Sequence, residues 1–337
     1  MMIGTRAWTR RSAVLFAAGL LTMGMVGLTT GCQSDRAQGE GSFEESEAAG
    51  AVEAAGAVET TGTVEAAGEP TPTASVKTVT AGDVEMDYVV FGSGEKTFVI
   101  LPGLSVRSVT GSADAIAAAY KDFTSEYTVY LFDRAKDVHE GYTVRDMADD
   151  TAAAMTALGI EDADVFGASQ GGMIALYLAI DHPELVHKMV LGSTLAKPND
   201  SSRQVVGEWV RLAESGDEAG LLESFADTVY SEATLEAYRD TIISSNAGIT
   251  DEEFRRFVIL AEACGTFDCS DELSSIECPV LVLGSEGDRV VTAEGSRQIA
   301  EALSCEIYLY DDSYGHAVYD EAPDYKQRIL DFLAEEE

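Results

Sequence analysis

From residue 76 onward the chain alternates between two hydrophobic rhythms. Short apolar runs of strand length are separated by longer stretches in which apolar residues return every three to four positions. Residues 76–80 and 84–91 read as strands joined across Ala81-Gly82-Asp83, a hairpin turn. Residues 97–101 form a short buried strand that breaks at Pro102-Gly103. A helical stretch follows around 113–121, then a strand at 128–132. Thr143, with Asp146 three positions on, predicts a capped helix start, and Gly159 predicts its stop. A strand at 164–166 leads almost at once into a helix at 172–180. Further strands fall at 188–191, 279–283 and 306–310, and a last helix at about 324–334. This alternation predicts an α/β fold with a mostly parallel sheet and helices on both faces.

The rhythm breaks between the strands at 188–191 and 279–283. Residues 197–277 hold 18 acidic and six basic side chains, many helix formers and no convincing strand. A helical cap is therefore expected over 196–277, above the carboxyl edge of the sheet, where open α/β sheets bind ligands.

The first 75 residues follow neither rhythm. Arg6, Arg10 and Arg11 precede an uncharged run of small and apolar residues from 12 to 30, the grammar of a signal peptide. Leu28-Thr29-Thr30-Gly31-Cys32 closes it and resembles a bacterial lipobox, although Leu28 stands one position further from the cysteine than usual. Residues 1–32 are thus expected to be a lipoprotein-type signal, with Cys32 lipidated, or a simple cleaved signal. Residues 33–75 repeat Glu-Ala-Ala-Gly-Ala-Val and its variants with period six, and carry nine acids against one Arg. Units with one small aliphatic side chain cannot build a core, so an acidic, extended linker is expected. The expected location is outside the cell, on the outer face of the membrane or secreted.

Charge sharpens the picture. The 337 residues carry a formal net charge of −37, and only seven of them are Lys. Such a surface is unsuited to nucleic acid and is repelled by anionic lipid, so contact with a membrane is expected only through the N-terminal anchor. Hydrophobic residues at 46% and charged residues at 24% suit a globular domain over 76–337.

The chemistry gathers at three places. Gly167-Ala168-Ser169-Gln170-Gly171 lies between a strand and a helix, the context in which G-x-S-x-G presents a nucleophilic serine on a tight turn. A serine hydroxyl needs a base. Of four histidines, His139, His182 and His187 sit in connections that suit surface residues, whereas His316 follows the strand at 306–310 and so reaches the carboxyl edge. The histidine needs an orienting carboxylate. Asp288, in the turn after the strand at 279–283, is the candidate, with Glu286 as its rival. Backbone N–H groups of Gln170 and Leu104 are the expected oxyanion hole, the second supplied by the loop Pro102-Gly103-Leu104-Ser105. The order Ser169, Asp288, His316 resembles the α/β-hydrolase superfamily over residues 76–337. The resemblance implies an eight-stranded sheet with the cap between strands six and seven. The chain departs from it at the oxyanion loop, where many members have His-Gly, and at Asp133-Arg134-Ala135, where a glycine is usual in place of Ala135. Ser169 separates it from relatives with an aspartate nucleophile.

Four further cysteines, an even number in an exported domain, suggest disulfides: Cys278 with Cys305 at the amino ends of adjacent strands, and Cys264 with Cys269 in the cap. No Cys and His spacing suggests a metal site, and the chemistry needs no cofactor. The leading expectation is hydrolysis of an ester or related acyl bond of a small molecule through an acyl-enzyme. The cap aromatics Trp209, Phe225, Tyr230 and Phe257 either contact that substrate or pack the cap. The same triad also serves carbon–carbon hydrolysis, cofactor-free perhydrolysis or aminopeptidase activity, and a non-catalytic surface binding protein is the reading from another class.

Overall fold

The computed structural model describes residues 72–335. The expected signal, Cys32 and nearly all of the linker lie outside the described residues. The strands are β1 (Ser75–Ala81), β2 (Val84–Gly92), β3 (Lys96–Leu101), β4 (Tyr127–Ala135), β5 (Ala163–Ala168), β6 (Val186–Gly192), β7 (Val280–Ser285) and β8 (Glu306–Tyr310). The helices are α1 (Ala113–Ala119), α2 (Val144–Ala157), α3 (Gln170–Asp181), α4 (Asp200–Glu214), α5 (Glu218–Val229), α6 (Glu232–Asn246), α7 (Asp251–Thr266), α8 (Thr292–Leu303), α9 (Val318–Glu321) and α10 (Tyr325–Leu333).

One eight-stranded sheet runs in the order β1-β2-β4-β3-β5-β6-β7-β8. β1 pairs antiparallel with β2, and β2 antiparallel with β4, while the remaining pairs are parallel. The central strands carry long apolar runs, such as Phe98–Leu101 in β3 and Val280–Leu283 in β7, as suits a sheet covered on both faces. β5 and β7 are buried at every position, whereas β8, at the sheet's edge, keeps an exposed face.

The order places the site. The chain leaves β3 for β4 on one side and returns to β5 on the other. The loops after β3 and β5 therefore diverge at a topological switch point, where a crevice opens beyond the strands' carboxyl ends. Helix α2 starts as its sequence dictates. Thr143 Oγ1 accepts from the Asp146 N–H at 3.1 Å, and Asp146 Oδ2 accepts from the Thr143 N–H at 2.8 Å.

Four helices, α4 to α7, fill the span between β6 and β7, and no strand interrupts them. Helix α8 has no counterpart in the sequence reading. Its early positions hold Gly295 and Ser296 in place of larger apolar residues, because a Cβ on Gly295 would stand 3.0 Å from the Leu195 Cβ and Ser296 packs against Gly284 of β7. That small-residue contact hides the helical period.

Candidate active site

Ser169 occupies the turn between β5 and α3 with φ 52° and ψ −118°, a backbone conformation unfavourable to any residue with a side chain. The surroundings hold it there. The Ser169 N–H donates to the Gly192 carbonyl at 2.8 Å, and the Thr194 hydroxyl donates to the Ser169 carbonyl at 2.8 Å. The turn leaves no room for side chains around it. A Cβ on Gly171 would stand 1.9 Å from the Leu101 carbonyl oxygen.

His316 lies in the connection between β8 and α9. Its Nδ1 meets Asp288 Oδ2 at 2.8 Å, with the two residues 3% and 6% exposed. The other carboxylate oxygen of Asp288 accepts from the N–H groups of Val290 and Val291 at 2.8 and 3.0 Å, which fixes its rotamer. Glu286, the sequence rival, pairs with Arg297 on the surface instead. A carboxylate on Nδ1 sets the ring's orientation and leaves Nε2 for proton exchange. Ser169 and His316 line the same small cavity, together with Gly103, Leu104, Trp209 and Tyr319.

The other histidines stand apart. His139 is exposed, His182 pairs with Asp149 at 2.8 Å, and His187 meets Asp164 at 2.8 Å.

The oxyanion loop approaches the serine through Gly103, where a Cβ would stand 3.3 Å from the Ser169 Cβ. Among the described residues, the N–H groups of Gln170 and Leu104 have no backbone acceptor. Behind them lies a brace that the sequence did not reveal. The buried Arg134 guanidinium donates to the Pro102 carbonyl at 2.6 Å and to Gln170 Oε1 at 3.1 and 3.2 Å. Gln170 Nε2 continues the chain to the Leu260 carbonyl at 2.7 Å and the Cys264 sulfur at 3.1 Å. Burial pulls the Arg134 pKa down to about 10, so the group stays charged at neutral pH. Arg134 was visible only as part of a resemblance, and its partners lie far along the chain.

Glu321 was not visible at all, being one acid among 59. It is buried and accepts from the Gly315 N–H at 2.8 Å and the Ser231 N–H at 2.7 Å. It thereby ties the His316 loop to the link between α5 and α6, which a bond from the Ala317 N–H to the Val229 carbonyl at 2.9 Å reinforces.

A larger cavity of about 630 Å³ also opens onto Ser169. Leu104, Met173, Val206, Val210, Ile259 and Val290 give it an apolar wall drawn largely from α4 and α7. Of the four aromatics singled out between β6 and β7, Trp209 and Phe225 stack at 4.4 Å and reach the small cavity, while Tyr230 and Phe257 are fully buried packing residues.

The disulfide expectation is corrected: Cys264, Cys269, Cys278 and Cys305 are free thiols. Leu281 pairs with Glu306, which sets Cys305 level with Val280 and leaves Cys278 two residues behind. Two strand residues span about 6.6 Å and neighbouring strands lie about 4.8 Å apart, so the Cα atoms stand about 8 Å apart. That exceeds the reach of a disulfide, about 7 Å. Cys264 is held within α7 by Gln170, while Cys269 lies beyond the helix end, where its N–H donates to the Ala196 carbonyl at 2.9 Å. Burial pushes the thiols of Cys264 and Cys278 up to about 11 and that of Cys269 to about 12. Among the described residues, no group of three or more His, Cys, Asp or Glu could hold a metal ion, and no helix is long and apolar enough to cross a membrane.

Comparison with known proteins agrees with the fold. The family model for the alpha/beta hydrolase fold matches residues 114–323. A curated relative from Caulobacter sp. strain K31, named "Putative carbamate hydrolase RutD", is 28% identical over 260 residues, which cover 72% of this chain and 92% of that protein. Among solved structures, MGS-M2, an alpha/beta hydrolase enzyme from a Medee basin deep-sea metagenome library, superposes with a TM-score of 0.70 at 22% identity, covering 77% of this chain and 98% of that one. The enol-lactonase from Burkholderia xenovorans LB400 superposes with a TM-score of 0.67 at 19% identity, over 77% of this chain and 100% of that one.

Proposed function

The chain belongs to the alpha/beta hydrolase family, and on that premise we propose that it is a serine hydrolase cleaving an ester or related acyl bond of a small molecule. The observation that carries the reading is the buried 2.8 Å bond between His316 and Asp288, on a histidine that shares a cavity with the strained Ser169. His316 Nε2 takes the Ser169 proton as Oγ attacks the carbonyl carbon. Asp288 stabilises the imidazolium through Nδ1. The N–H groups of Gln170 and Leu104 receive the negative charge that develops on the carbonyl oxygen. His316 then gives its proton to the leaving group, and water releases the acyl group by the reverse exchange.

The larger cavity supports a substrate with a sizeable apolar part. Its volume of about 630 Å³ exceeds what a carbamate with no further substituent would fill. The relatives named for carbamate hydrolysis favour one further reading, in which the same residues attack a carbamate carbonyl. Turnover of matched p-nitrophenyl carboxylate and N-alkyl carbamate esters by the full chain separates the two. The carboxylate esters should be turned over at least about ten-fold faster, a difference in barrier of about 1.4 kcal/mol. Faster carbamate turnover would overturn the carboxylic ester reading, and no turnover of either would overturn both.

A further inference from the structure

We propose that the Tyr319 hydroxyl is the donor that holds the hydrolytic water beside the acyl-enzyme, in the small cavity it shares with Ser169 and His316. The inference rests on the serine hydrolase reading and adds to it a residue that the triad and oxyanion hole do not include. Tyr319 is 4% exposed, and its hydroxyl has no hydrogen-bond partner among the described residues. A buried hydroxyl without a partner is costly, so a site that retains one has a use for it.

Its position identifies the use. A Cβ placed on Gly103 would stand 3.8 Å from the Tyr319 hydroxyl and 3.3 Å from the Ser169 Cβ. The hydroxyl therefore lies beside the nucleophile and the oxyanion loop. The cavity has a volume of about 10 Å³, the room that one water molecule needs. Trp209, whose indole N–H also lacks a partner among the described residues, walls it from the α4 side. Burial, with Asp320 and Asp288 nearby, pushes the Tyr319 phenol well above its ordinary pKa, so it remains a donor at any working pH.

A water placed there donates one proton toward His316 Nε2 and accepts from the Tyr319 O–H through one lone pair. The second lone pair faces the acyl carbonyl carbon. In deacylation the water oxygen bonds to that carbon while His316 takes a water proton. The tetrahedral intermediate then breaks its bond to Ser169 Oγ, which recovers the proton from His316. The acid leaves, and Tyr319 keeps its proton throughout. The donor holds and orients the water without entering the proton exchange.

Tyr319→Phe in the full chain tests this with a p-nitrophenyl ester. p-Nitrophenolate leaves without needing a proton, so acylation should not depend on the water site. The first-order loss of the acyl group from Ser169, followed by quenched mass spectrometry, should slow about 5–10-fold, as expected for loss of one neutral hydrogen bond. kcat/KM should hold within about two-fold. Tyr319→His, which restores a donor, should recover part of the rate. Equal losses in kcat/KM and deacylation, or no loss in either, would overturn the proposal. The rate of fluorophosphonate labelling reports the integrity of Ser169 and His316. A Tyr319→Phe protein that no longer labels would assign Tyr319 to the architecture of the site, against the proposal. A wild-type chain that does not label at Ser169 would instead sink the serine hydrolase reading itself.

Discussion

Asp288 divides its two oxygens between different tasks: one receives two backbone N–H groups and the other orients His316. Asp288→Asn keeps an oxygen for the backbone but offers an amide to the imidazole, favouring the wrong tautomer. The protein should fold as before, while kcat falls by about four orders of magnitude and KM changes little. Steady-state kinetics beside a circular dichroism spectrum check this, and a loss below about ten-fold would contradict the role. At this scale legibility followed rarity. Ser169 stood out because glycines frame it, and His316 because the chain has only four histidines. Asp288 had to be found by position among many acids, and the turn after β7 was enough. Arg134 and Glu321 act through partners remote in sequence, and only the fold brings the Tyr319 hydroxyl to the small cavity, so their local patterns carry no signal. The cysteine pairing failed for the opposite reason. Adjacent strand ends suggested a bond that a two-residue offset in register forbids.

Secondary-structure elements were legible wherever their period was undiluted. β8 runs over Glu306–Tyr310, as read from its pattern. β5 extends to Ala168, two residues beyond the sequence reading, because Gly167 and Ala168 still pair with Leu191 and Gly192 of β6. A glycine in the pattern looks like a strand's end even where the ladder continues. α8 was invisible because close packing against Leu195 demands small residues. Caps are a firmer signal, since the hydrogen bonds are local. Thr143→Ala removes the hydroxyl that accepts the Asp146 N–H and should cost about 1 kcal/mol of stability. Urea unfolding should show an earlier midpoint at unchanged slope. An unchanged midpoint would mean that tertiary packing alone fixes the start of α2.

Across the whole molecule, the reversal of strand order around β3 gathers residues from distant parts of the chain into one crevice. Gly103 and Leu104 follow β3, Ser169 follows β5, Asp288 follows β7 and His316 follows β8. The helices between β6 and β7 add the apolar wall of the larger cavity and, through Glu321, a tie to the His316 loop. The sequence could foresee the convergence, because loops after parallel strands emerge at one edge. It could not foresee the tie or the cavity, which arise only from contacts between the β6–β7 span and the loops that carry Ser169 and His316. The net charge of −37 suits solubility and plays no part in the convergence beyond the single carboxylate at Asp288. This convergence should activate Ser169 as a nucleophile. The full chain should be treated with a fluorophosphonate and the modified peptide located by mass spectrometry. The adduct is expected on Ser169, and it should be absent from Ser169→Ala and strongly slowed in His316→Ala. Labelling that persists in Ser169→Ala, or a wild-type chain that stays unmodified, would contradict the account.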